Sequence, residues 1–181
     1  MKYHKIIKLK DGRVCTLRNG EESDGQAVLI NFILTHEQTD YLLTYADENT
    51  MTAEQEGLFL QKKADSETEV EILAEVDGIV VGLAGIEAAG SRDKICHRAD
   101  FGISIDQHYW HLGIGTALMN ACIKCAEVAG YEQIELSVVA ENEVAVAMYL
   151  KAGFKIYGRN PRGFKSRYTG YQELIYMRME L

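Results

Sequence analysis

Residues Tyr109–Met119 read YWHLGIGTALM. A polar segment ends here and an apolar helical pattern begins, with Gly113 and Gly115 at the junction. Two missing side chains at a helix entrance have two readings. One is a loop that merely turns. The other is an anion resting on bare backbone, because the first N–H groups of a helix lack internal partners and carry the positive end of its dipole. The residues on either side have to decide.

Working outward, HRADFGISID (97–106) reads as a strand leading into the motif. The helix after it carries Ile114, Ala117, Leu118, Ala121, Cys122 and Cys125 on one face. EQIELSVVAEN (132–142) is a further strand, and EVAVAMYLKAGF (143–154) a short helix ended by Gly153. Upstream, RVCTLRNG (13–20) reads as the first strand and its turn. EESDGQAVLINFILTHEQTDYL (21–42) carries Ala27, Ile30, Leu34 and nearby apolar residues at helical spacing. A second helix is expected in TAEQEGLFLQKKADS (52–66), where Thr52 and Gln55 form a capping-box pattern. In EVEILAEVDGIVVGLAGIEAAG (69–90), Asp77-Gly78 splits two Val- and Ile-rich runs, a hairpin signal. The tail, KIYGRNPRGFKSRYTGYQELIYMRMEL (155–181), reads as two strands around a polar connection. The expected order is β-α-α-β-β-β-α-β-α-β-β: an α/β protein with a mixed sheet and helices on its faces.

A chain of 181 residues, 47% hydrophobic and 25% charged, fits a single domain spanning 1–181. The N-terminal MKYHKIIKLKDG alternates apolar residues with lysines and lacks a signal-peptide core, so a cytoplasmic location is expected, with no membrane partner. The net charge of −8 argues against nucleic acid and mildly favours cationic small molecules. Cys122 and Cys125 form a C-x-x-C, but no second pair or closely spaced histidines complete a metal site. Both fall on the apolar phase of their helix, as packing thiols do.

Known phosphate loops test the motif further. A Walker loop needs Lys and Ser/Thr after its last glycine, and Thr116 follows Gly115 directly. A dinucleotide fingerprint needs Gly or Ala where Leu118 stands, and opens its domain instead of lying in the second half. A third pattern fits. ADFGISIDQHYWHLGIGTALM (99–119) followed by IELSVVAENEVAVAMYLKAGF (134–154) resembles the GCN5-related N-acetyltransferase (GNAT) superfamily. That family has a [QR]-x-x-G-x-[GA] pyrophosphate loop, then an Asn leaving a strand, then an A-x-x-x-Y-x-x-x-G-F helix. Gly113, Gly115, Asn142, Ala145, Tyr149, Gly153 and Phe154 stand at those spacings, while Trp110 replaces the usual Gln or Arg.

The resemblance implies a GNAT-like acyl-CoA N-acyltransferase fold and acetyl-CoA as cosubstrate. Its pyrophosphate would be held by backbone across Trp110, His111, Leu112, Gly113, Ile114, Gly115 and Thr116. The pantetheine arm would pair with the preceding strand at Ile103, Ser104 and Ile105, with the Ile105 N–H as oxyanion donor. Asn142 would bind pantetheine or cap its helix. Tyr149 would protonate the departing thiolate or, read without the resemblance, simply pack as a half-buried aromatic. Asp100 is the first candidate base and Glu135 its rival; a water chain is the third option. The family often bulges at Asp100, which leaves open the way that side chain points.

The expected activity is acetyl transfer to a primary amine, on a small molecule or a peptide. The alternative from another class is a non-catalytic acyl-CoA sensor or regulatory module. The apolar ELIYMRMEL (173–181) suits either a homodimer contact or a plain core strand.

Overall fold

The computed structural model describes residues 1–181. Its strands are β1 (His4–Lys8), β2 (Val14–Asn19), β3 (Val70–Val76), β4 (Ile79–Ala88), β5 (Arg98–Ile105), β6 (Gln133–Val139), β7 (Lys155–Ser166) and β8 (Gly170–Glu180). Its helices are α1 (Gly25–Gln38), α2 (Ala53–Asp65), α3 (Ile114–Ala129) and α4 (Glu143–Ala152). The strands form one sheet in the order β1-β2-β3-β4-β5-β6-β8-β7. Every neighbouring pair is antiparallel except β5 and β6.

Strand alternation divides the interior in two. Val70, Ile72, Ala74 and Val76 of β3 face the main core, which Ile114, Leu118, Cys122 and Cys125 of α3 complete. Leu73, on the other face, packs with Val28 of α1 and Leu60 of α2. Both cysteines of the C-x-x-C are therefore buried packing groups. The capping box of α2 is present, with the Gln55 N–H donating to Thr52 Oγ1 at 3.2 Å.

Two sequence expectations need correction. The first strand is β1, in a stretch read only as a lysine-bearing N-terminus. β1 is an edge strand paired on one side, so its pattern is not set by burial; Ile6 is exposed, and the lysines protect a free edge. The helix α1 is where it was expected, but Ile30 and Leu34 are exposed while Val28, Asn31 and Thr35 are buried. The helix is apolar nearly all round, so spacing alone does not select the inward face. Asn31 can turn inward because its Nδ2 donates to the Val80 carbonyl at 3.2 Å. The ELIYMRMEL segment is interior, since β8 lies between β6 and β7 with Leu174, Ile175 and Met177 buried.

The β3–β4 hairpin turns on Asp77 (φ 52°) and Gly78 (φ 78°), the two positive angles of a type I′ turn. A Cβ on Gly78 would meet nothing within 4 Å, so a side chain there costs conformational energy alone. Gly78→Val should therefore destabilise the protein by about 1–2 kcal/mol, measured as a shift in urea midpoint at unchanged m-value.

Candidate active site

The parallel pairing of β5 with β6 covers only Arg98↔Gln133, Ala99↔Ile134 and Asp100↔Glu135. Beyond it the two strands part. On its other side β5 stays paired with β4 from Ala99 to Ile105 without a register shift. The Ala89 N–H donates to the Arg98 carbonyl and the Asp106 N–H to the Val81 carbonyl. Antiparallel alternation then turns the main-chain groups of Ile103 and Ile105 away from β4, into the gap left by β6. A V-shaped slot results, with unpaired backbone on its β5 wall.

The narrow end of the slot is pinned by an ion pair. Arg98 Nε and Nη2 donate to Glu135 Oε1 and Oε2, each at 2.7 Å. This hydrogen-bonded partner holds the Glu135 carboxyl below the usual carboxylate range. The pair ties β5 to β6 and makes the Glu135 carboxylate a weaker proton acceptor than an ordinary one. Asp100, next to it, differs: desolvation and the charges of Glu135 and Glu87 raise its pKa. Because β5 has no bulge, Asp100 shares a face with Gly102 and Ser104, toward α1, while Ala99 and Phe101 point into the core.

The wide end opens on the loop before α3. Gln38 at the end of α1 fixes the loop's start: its Nε2 donates to Asp106 Oδ1 at 2.8 Å, and its Oε1 accepts from the Gln107 N–H at 2.9 Å. His111 (φ 62°) and Gly113 (φ 99°) both adopt left-handed backbone, and such reversals turn successive N–H groups to one side. No protein acceptor receives the N–H groups of His111 through Thr116. The two glycines serve different needs. Gly113 satisfies a backbone angle, whereas a Cβ on Gly115 would press Met148 Sδ at 3.2 Å and Ile105 Cδ1 at 3.3 Å. Trp110, at the position of the usual Gln or Arg, donates its indole N–H to the Ile105 carbonyl at 2.7 Å. Its indole N–H is thereby engaged with the end of β5. The β1–β2 turn braces the loop, with the Lys10 N–H donating to the Leu112 carbonyl at 3.2 Å.

Tyr149 of α4 is buried edge-to-face against Phe101 and Phe154, at centroid distances of 6.2 and 5.7 Å. Its hydroxyl has no partner in the protein, and burial raises its pKa well above the ordinary phenol range. Since Phe101 and Asp100 point to opposite faces of β5, Tyr149 and Asp100 approach the slot from opposite sides. Asn142 caps α4, its Oδ1 accepting from the Ala145 N–H at 3.2 Å.

On the Asp100 side, two adjoining hollows of about 340 and 360 Å³ lie between the sheet and α1, α2 and the connection between them. Phe32, Glu71 and Leu83 line both. Sequence reasoning missed Glu71, Glu87 and Gln38. In TEVEILAEV nothing marks one strand carboxylate above its neighbours; only the packing of α1 and α2 over β3 does so. Desolvation, reinforced by Glu56 and Glu87 and opposed by Lys63, pushes the Glu71 pKa up to about 8. The folded chain thus keeps a proton that the unfolded chain releases near pH 4.5, so this contribution to stability is full below that pH and is lost as pH rises toward about 8. Glu71→Gln should flatten the fall in stability across that window, as read from urea midpoints at several pH values.

The sequence model of the acetyltransferase (GNAT) family matches residues 31–154. The L-amino acid N-acetyltransferase AaaT of Escherichia coli is 32% identical over 121 residues, covering 66% of this chain and 74% of that one. A GNAT-family acetyltransferase from Streptococcus pneumoniae superposes with a TM-score of 0.88 at 27% identity, covering 92% and 99% of the two chains. A phosphinothricin acetyltransferase from Sinorhizobium meliloti, solved with acetyl-CoA, shares the fold at a TM-score of 0.80 and 16% identity, covering 92% and 88%. With an open β5–β6 slot ending on a loop of free N–H groups, and with this match over most of its length, the chain belongs to the GNAT family of acetyltransferases.

Proposed function

We propose that the protein moves an acetyl group from acetyl-CoA to a primary amine by direct attack on the thioester, acting as one domain in the cytoplasm. The observation that carries this reading is the slot itself, whose unpaired wall and free N–H loop match what an extended thiol arm ending in a pyrophosphate requires. When bound, acetyl-CoA supplies an activated acetyl ester; the rest is done by the chain.

The N–H groups from His111 to Thr116 receive the pyrophosphate oxygens. On β5, Ile105 lies beside Trp110 and the loop, so its N–H is placed for the pantetheine arm. Ile105 is five positions along the strand from Asp100, about 16 Å. Ile103 lies closer to Asp100, and its N–H is the better-placed donor to the carbonyl oxygen as that oxygen gains charge. We therefore assign this role to Ile103 in preference to Ile105. Asp100 takes the proton of the attacking amine through water, in the space that Gly102 leaves open. Its raised pKa makes it a stronger proton acceptor than an ordinary carboxylate.

Tyr149 works from the other face. Its raised pKa keeps the phenol protonated, so it donates a hydrogen bond to the sulfur as charge builds there, and the proton follows as the carbon–sulfur bond breaks. Asp100 and Tyr149 are what distinguish an enzyme from a sensor that only binds acyl-CoA.

Tyr149→Phe removes one hydroxyl from a packed ring. With release of free CoA thiol as the readout, kcat should fall about 10²–10⁴-fold while KM for acetyl-CoA stays within a factor of about two. A near-normal kcat, with chemistry shown to limit turnover, would make Tyr149 a packing residue.

A further inference from the structure

The hollows beside Asp100 have a charge pattern that narrows the acceptor. Glu71, Gly85 and Gly102 stand opposite one another across β3, β4 and β5, on the face toward α1 and α2. The two glycines leave this row bare, and the Glu71 side chain lies across it: a Cβ on Gly85 would fall 2.2 Å from Glu71 Oε2. No group in the protein donates a hydrogen bond to that side chain, in contrast to two other acidic residues lining the hollows. Glu87 accepts from Lys63 at 3.2 Å, and Glu48 accepts from the Tyr45 N–H at 2.7 Å. Glu56 lines the same hollow from α2.

The cations are spent. Lys63 is the one Lys or Arg lining either hollow, and it is held by Glu69 at 2.9 Å as well as by Glu87. His36 engages the Phe32 carbonyl through Nδ1 at 2.7 Å, and burial lowers its pKa, so it stays neutral at pH 7. The carboxylate of an α-amino acid would enter beside Glu71 and Asp100 with no free cation to meet it. Glu71 is protonated in the free protein at pH 7; an incoming ammonium favours its charged form, so the proton leaves as the ion pair forms, with the Phe32 ring beside the ligand's methylene chain. The Glu71 carboxylate lies over β4, one strand spacing or about 5 Å from β5, which is within the span of a short aliphatic chain.

We infer that the acceptor is an aliphatic diamine, one amine of which attacks at the slot while Glu71, with Glu56 behind it, binds the other. This rests on the acetyl-transfer reading above and names its substrate class. Glu71 is a specificity residue and touches no reacting atom.

The test pairs putrescine with n-butylamine, which has the same carbon chain and one amine fewer. For the wild type and Glu71→Gln, two quantities are measured: kcat/KM from CoA release, and putrescine affinity by calorimetry with desulfo-CoA present. The wild type should prefer putrescine by at least about tenfold, the factor that 1.4 kcal/mol of charge-assisted contact yields. In Glu71→Gln that ratio should collapse toward one, mainly through KM, and calorimetric binding of putrescine should weaken by a similar factor. Glu56→Gln should lower the ratio less. An equal loss for both amines carried by kcat would make Glu71 a general base and overturn the assignment. So would a wild type that ignores the second amine, or one that prefers alanine or glutamate. Putrescine binding that depends on Glu71 without any CoA release would uphold the cation site and refute acetyl transfer. Acetyl transfer with no preference for the diamine would do the reverse.

Discussion

A parallel strand pair that stops at Asp100↔Glu135 is the constraint on which the rest of this molecule depends. In a continuous sheet, the backbone groups of Ile103 and Ile105 would be consumed by β6. Here β6 leans instead on β8, with which it pairs along its whole length. The Arg98–Glu135 pair fixes where the separation begins, and Trp110 caps the Ile105 carbonyl where it ends. Between those points the protein holds a row of polar backbone groups without partners, a costly arrangement in a folded chain unless something else comes to pair with them.

The same geometry sorts the chemistry by face. Alternation along β5 sends Phe101 into the core under Tyr149 and Asp100 to the side of α1. A carboxylate and a phenol thus stand on opposite faces of β5, the arrangement on which the proposed acetyl transfer rests. The helices α1 and α2 then decide what can enter. Their packing over β3 and β4 leaves a hollow rich in carboxylates, whose lysine is already paired. In this account the cosubstrate is held mostly by main chain, and the acceptor is chosen mostly by side chains.

That division explains which features were legible in the sequence. A backbone site demands glycine at set positions and a fixed order of elements, so Gly113, Gly115, the Asn142 cap and the Tyr149-to-Phe154 helix could be read directly. The Asp77-Gly78 turn was legible for the same reason, because few residues accept its angles. The direction of Asp100 was not, since it depends on whether β5 bulges, a property of pairing with β4. Glu135 and Asp100 look alike as residues, and only the structure shows that the Arg98 guanidinium is held by one of them and not the other. Glu71 was invisible because its setting comes from two helices distant in sequence. The inward face of α1 was illegible because a buried Asn31 is stabilised by a carbonyl of β4 that no helical period reveals.

Amide hydrogen exchange with and without acetyl-CoA tests the central claim most directly. In the free protein the N–H groups of Ile103, Ile105 and His111 through Thr116 have no acceptor in the protein, and they should exchange faster than those of Asp100, Gly102 and Ser104, which face β4. Acetyl-CoA should slow exchange at Ile103, Ile105 and the loop together, leaving the β1–β2 pair unchanged. Protection confined to another surface, or the absence of protection on these amides at saturating acetyl-CoA, would contradict the account.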